Sequence, residues 1–228
     1  MLDLLGFGDS TPEAVADRIR AVVRIPSDDG ILFDASSIEA AVIREDAEYE
    51  GVRVKLPASL DQAQIRLQVD IGFGDVVDPA PARAAYPAIL SHVEPPTLRM
   101  YPPETVIAEK LQAMVVLDIR NSRMKDFYDL WYLSRHWPFQ LAVLRRAVAS
   151  TFERRRTEVP VGIPFALTEE FLTDEGKRQQ WVAFVRRLNL PADTPDLRAL
   201  GHELLLFVHP IFAAGKEDAT WQPGGSWQ

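Results

Sequence analysis

The chain of 228 residues contains no cysteine. Disulfides, thiolate metal sites and cysteine nucleophiles are therefore excluded, and a reducing, cytoplasmic setting is the default expectation. It lacks any apolar run near the roughly 20 residues that a membrane-spanning helix needs, and no signal-peptide pattern opens it. Positive charge is in deficit: 25 Lys and Arg face 33 Asp and Glu, a net charge of −8. Such a balance argues against general affinity for nucleic acid, which needs concentrated Lys and Arg, but it leaves room for a local basic patch or an acidic metal site. The histidines, at 92, 136, 202 and 209, show no metal-ligand spacing. There is no phosphate-loop lysine, no GxSxG and no HExxH. Apolar content of 47% with 25% charged residues is that of a globular protein able to bury a core.

The patterning that is present changes along the chain. Asp9-Ser10-Thr11-Pro12-Glu13 reads as a helix start, and Val15, Ile19, Val22 and Val23 supply its apolar stripe up to Pro26. From Ile31 to Phe73 the period becomes two. Val52, Val54 and Leu56 alternate with Arg53 and Lys55, and Ile65, Leu67, Val69 and Ile71 alternate with Arg66, Gln68 and Asp70. Two strands are expected there, with weaker ones at Ile31–Phe33 and Ala41–Arg44 and a turn at Glu50-Gly51. A proline-rich connection, 77–103, carries an edge strand near Thr97–Tyr101. Helices are predicted near 104–118, 123–135, 138–154, 174–188 and 195–213, and the tail from Gly215 is expected to fray. Strands first and helices later give an α+β class. The predicted organisation is a mixed or antiparallel sheet domain over 1–103, a helical bundle over 104–213 and a flexible tail over 214–228.

Chemistry-bearing side chains concentrate at a few points. Asp70 shares the polar face of its strand with Arg66 and Gln68, and Gly72-Phe73-Gly74-Asp75 follows it. Asp3 sits in an apolar strand-like run, where an acid is costly unless it is exposed, paired or metal-bound. Carboxylates on neighbouring strands suit magnesium, which takes oxygen ligands. Lys110 lies on the flank of a helix whose buried stripe is Ile107, Leu111, Met114 and Val115; a solvated lysine and a phosphate-binding cation are both open readings. Asp126 and Asp129, three apart on the next helix, repel unless a cation lies between them; Arg120, Arg123 and Lys125 are the candidates, and the cluster reads either as surface ion pairs or as catalytic acids. Tyr101 and Tyr128 offer base stacking or core packing. Arg145-Arg146, Arg154-Arg155-Arg156 and Arg186-Arg187 form three basic clusters, either solvated helix faces or an RNA-contacting surface.

Two of these stretches look like a known family. Ala108-Glu109-Lys110-Leu111-Gln112-Ala113 and Lys125-Asp126-Phe127-Tyr128-Asp129-Leu130 resemble the third and fourth motifs of the AbiEii/AbiGii toxin nucleotidyltransferases, of the DNA polymerase β-like superfamily. Leu67-Gln68-Val69-Asp70-Ile71 resembles the second motif, and Leu2-Asp3-Leu4-Leu5-Gly6 the end of the first. The resemblance covers most of residues 1–135. It implies a nucleotidyltransferase fold and the toxin half of a toxin–antitoxin or abortive-infection system. A nucleoside triphosphate would be the substrate, Mg2+ or Mn2+ the metal and an RNA, in particular tRNA, the acceptor. The implied partner is a cognate antitoxin. By motif, Asp3 and Asp70 would hold metal, Asp70, Lys110 and Asp126 would be catalytic, and Lys110, with Asp129, would bind the triphosphate. The family's first motif opens upstream with a glycine- and serine-bearing turn and an aspartate where Met1 stands. The chain as given is therefore expected to incorporate little nucleotide, and a version extended upstream to incorporate it; the alternative is a non-catalytic, antitoxin-binding relative.

Overall fold

The structure, a computed structural model, describes residues 2–46, 49–90, 93–215 and 218–228, with the backbone alone for 44–46 and 49–50. Met1 and His92 lie outside these residues. The chain divides into two compact units, Met1–Asp75 and Val76–Gln228.

The first unit holds a five-stranded mixed sheet and one helix. Its strands are β1 (Leu2–Gly6), β2 (Ile31–Phe33), β3 (Glu39–Asp46), β4 (Tyr49–Leu60) and β5 (Ala63–Phe73), and α1 (Pro12–Val23) follows β1. β5 pairs antiparallel with β4 on one side and parallel with β1 on the other, while β3 and β2 share the far edge of β4. α1 begins where the sequence says it should: Pro12 stands at its start, and the Thr11 hydroxyl accepts a hydrogen bond from the Ala14 N–H at 3.4 Å. Its apolar side, Val15, Ala16 and Ile19, packs on Val52, Val54, Leu56, Val69 and Ile71, one face of the β4–β5 pair. Because strand side chains alternate, that burial forces Arg53, Lys55, Gln68 and Asp70 onto the opposite face. The turn expected at Glu50-Gly51 is not there. Both residues pair inside β4, opposite Arg44 and Ile43. Gly51 serves close packing instead: a Cβ there would meet the Ile71 carbonyl at 3.1 Å.

The second unit is mainly helical. A two-stranded ribbon, β6 (Ala82–Ala85) with β7 (Thr97–Met100), precedes α2 (Pro103–Leu117), α3 (Met124–His136), β8 (Phe139–Gln140), α4 (Leu141–Arg154), α5 (Glu169–Thr173), α6 (Glu175–Leu188), α7 (Leu197–Phe212) and β9 (Thr220–Trp221). The helices bury one apolar core in which Leu111, Met114, Phe127, Leu144, Phe171 and Phe207 are wholly shielded from solvent. Five helices fall within a few residues of the periodicity reading. α4 starts later than predicted because Phe139 and Gln140 pair with Trp221 and Thr220.

The same pairing corrects the expectation of a frayed tail. Trp221 is buried, its ring packs edge-on against Phe207 at 5.0 Å, and its indole N–H donates to the Ser134 carbonyl at 2.6 Å. Two basic clusters are also largely drawn into structure. The Arg145 guanidinium donates to the carbonyls of Pro210, Ala213 and Gly215 at the end of α7, and Arg146 pairs with Asp78 at 2.9 Å. Arg155 donates to the buried Gln112 at 3.0 Å, and Gln112 donates to Thr157 at 2.8 Å.

Candidate active site

The strand acids come first. In the parallel β1–β5 pair Asp3 is the register partner of Asp70, so both carboxylates stand on the face opposite α1. Gly6 lets the two strands close up, since a Cβ on it would meet the Phe73 ring at 2.4 Å. Asp3 is exposed and Asp70 is buried. Asp70 is not free. Arg53, its register partner on β4, grips it two-pronged: Nε donates to one carboxylate oxygen at 2.8 Å and Nη2 to the other at 2.6 Å. Gln68 adds an amide N–H at 3.1 Å. The Arg53 hydrogen bonds outweigh burial and hold the Asp70 carboxyl below the usual carboxylate range.

Sequence reasoning singled out neither Arg53 nor Gln68 as a partner of Asp70. The signal was available. The two-residue loop at Asp61 and Gln62 fixes the β4–β5 register, and that register sets Arg53 opposite Asp70.

The helix acids form a second cluster, inside the helical unit. Lys110 leaves α2 and its ammonium reaches Asp126 at 2.7 Å and Asp129 at 2.7 Å, both on the first two turns of α3. Lys125 adds a second cation on Asp129 at 2.5 Å. The helical spacing turns both acids to one face, and Ile107, Leu111, Phe127 and Leu130 pack the two helices so that the lysine meets them. The positive charge between the acids is thus Lys110 from the neighbouring helix, not one of the loop arginines alone. Burial works against the charged ammonium, but the attraction of Asp126 and Asp129 wins, and the Lys110 pKa is raised. An ammonium has three N–H donors, and two carboxylates take two of them. The geometry therefore presents a permanently charged, fixed ammonium with a donor to spare, which is suited to a phosphate oxygen.

A divalent metal such as magnesium takes oxygen ligands. Aspartate oxygens at Asp3 and Asp70 are of the right chemical type. The arrangement does not fit: both oxygens of Asp70 already accept from Arg53, whose charge opposes a cation. Among the described residues, no group of three His, Cys, Asp or Glu side chains gathers around a common point. No helix among them is long and apolar enough to cross a membrane. Tyr101 is half-buried just before α2, and Tyr128 packs against Phe184 with ring centroids 6.1 Å apart.

A family model described as "Nucleotidyl transferase AbiEii toxin, Type IV TA system" matches residues 2–202. No curated protein matches. Among solved structures, the crystal structure of JHP933 from Helicobacter pylori is similar with 15% identity and a TM-score of 0.41, over 86% of this chain and 69% of that one. A second crystal structure from H. pylori, of a candidate nucleotidyltransferase, is similar with 15% identity and a TM-score of 0.38, over 81% of this chain and 68% of that one.

Proposed function

We propose, since the chain belongs to the AbiEii family of nucleotidyltransferase toxins, that it transfers a nucleoside monophosphate from a nucleoside triphosphate to an RNA hydroxyl, with tRNA as the acceptor. Nucleotidyl transfer and membership of a toxin–antitoxin pair come with the family. The acceptor and the assignment of roles to single residues are our reading. In the reaction the acceptor hydroxyl gives up its proton and its oxygen bonds to the α-phosphorus. The bond from that phosphorus to the bridging oxygen of the β-phosphate breaks, and pyrophosphate leaves.

The observation that supports this best is the ammonium of Lys110 fixed between Asp126 and Asp129. Lys110 would meet the charge that grows on the triphosphate, and the two acids would hold it charged and aimed. Positioned charge of this kind is the largest contribution a protein makes to phosphoryl chemistry. Asp70, poised by Arg53 within the sheet unit, keeps the role of an acid that its motif suggests. A divalent cation, magnesium or manganese, enters the proposal from the family alone. Asp70, with both oxygens taken by Arg53, does not fit as its holder. The proposed place of action is the cytoplasm, where acceptor RNA and triphosphates meet, and the proposed partner is a cognate antitoxin.

Incorporation of labelled nucleotide into tRNA tests the reading. Lys110→Ala and Asp126→Asn are expected to lower incorporation by about a hundred-fold or more. Incorporation at the parent rate in both variants would overturn the assignment.

A further inference from the structure

We propose that the α3–α6 surface is the track on which a single-stranded RNA end lies as it approaches the Lys110 cluster; this rests on the transferase reading above and adds a substrate-binding surface to it. Two independent features of the surface carry the inference.

The first is a hollow of about 470 Å³ beside Asp126, whose lining includes Ser122, Arg123, Lys125, Gln180, Phe184 and Arg187. Three cations thus face one depression in a chain whose net charge is −8. The acids nearest to it are already matched, Asp126 by Lys110 and Asp129 by Lys110 and Lys125. Arg187, on the last turn of α6, has no carboxylate partner among the described residues. The hollow also faces the first turn of α3, a helix of 13 residues, whose dipole favours an anion. A phosphodiester is the anion that fits a site of this sign beside a nucleotidyl-transfer cluster.

The second feature begins at the wall of that hollow. Phe184 lines it and packs on Tyr128, and from Tyr128 a column of rings runs along α3. Tyr128 stacks on Tyr132 at 6.3 Å, and Tyr132 stacks on His136 at 4.0 Å with the planes 22° apart. Trp137 closes the column, 6.0 Å from both Tyr132 and His136. The four-residue spacing puts Tyr128, Tyr132 and His136 on one face of the helix. Tyr132 and Trp137 are 41% and 42% exposed, so large aromatic surfaces stay open to solvent. Exposed rings in a row next to a cationic groove are the arrangement that binds single strands, with phosphates on the cations and bases on the rings. Neither feature suits duplex RNA, whose bases are not available to stack.

The test is direct binding of a fluorescently labelled single-stranded oligoribonucleotide to the full chain at several salt concentrations. Arg187→Gln is expected to weaken binding and to reduce the salt dependence by about 0.7 in the slope of log K against log salt, one phosphate's share. Tyr132→Ala is expected to weaken binding about ten- to a hundred-fold with the slope unchanged, and Tyr132→Phe to restore it. Both side chains are exposed, so each variant should melt like the parent. Parent-like RNA binding in either Arg187→Gln or Tyr132→Ala overturns the track, as does loss of antitoxin binding with RNA binding intact. The transferase reading fails separately: labelled nucleotide that never enters RNA while these variants still lose RNA binding would sink the reaction and leave the track standing.

Discussion

At the scale of single side chains, Asp70 is held by a guanidinium and Lys110 by two carboxylates, and the two arrangements respond to pH at opposite ends. The folded Asp70 titrates below its unfolded value of about 3.9, chiefly because Arg53 donates to it. Its contribution is therefore complete above that value and is lost as pH falls through the lowered folded one. Asp70→Asn is expected to cost about 1–2 kcal/mol at pH 7 by denaturant unfolding, at the low end because Arg53 is 34% exposed. The difference from the parent should shrink only below about pH 3.9; a gap that persists unchanged into strong acid would contradict the pairing. The raised Lys110 value acts the other way. Its contribution is present below about 10.4 and lost only as pH climbs through the folded value, so the ammonium stays charged wherever the protein works. The need for a cation beside Asp126 and Asp129 was legible, because like charges three residues apart demand one, and Lys125 was among the candidates; Lys110 was not, because its place depends on how α2 packs on α3. Arg53 was missed because pairing it with Asp70 takes one more step, counting the β4–β5 register outward from the two-residue loop at Asp61 and Gln62.

Among the elements, α5 and α7 approach closely at Gly201. A Cβ on Gly201 would meet the two methyl carbons of Leu172 at 2.4 and 2.5 Å, and Leu172 is wholly buried. Gly201→Ala gains up to about 1 kcal/mol of helix propensity, but forcing Leu172 out of its place costs about 1–3 kcal/mol. A net loss on the order of 1 kcal/mol is expected in the urea midpoint, and a gain would show that α5 gives way. This joint was invisible to pattern reading, which gave α7 but not α5, a helix of 5 residues too short to display a period. The same limit explains β6, β8 and β9. Ala82–Ala85 has neither β-branched residues nor alternation, and β8 and β9 are two residues each. Longer elements declared themselves: α1, β4, β5, α2, α3 and α6 all show their buried period in sequence.

For the molecule as a whole, the α+β order was readable from where the period switches from two to that of a helix. The role of the last residues was not, because Gly215 to Gln228 has no period at all. What organises them is aromatic burial: Trp221 seats on Phe207, and Trp227 stacks flat on the same ring at 5.9 Å. Trp221→Ala should therefore cost about 3 kcal/mol or more in thermal or urea unfolding followed by circular dichroism, far beyond what trimming a loose end would do. A change within about 0.5 kcal/mol would return these residues to the surface class.

All five tryptophans, at 131, 137, 181, 221 and 227, belong to Val76–Gln228, and Met1–Asp75 has none. Indole emission is consequently a built-in optical reporter of one half of the polypeptide. Far-ultraviolet dichroism registers both halves, so a gap between the two spectroscopic melts of the unlabelled molecule reveals whether the halves are lost together.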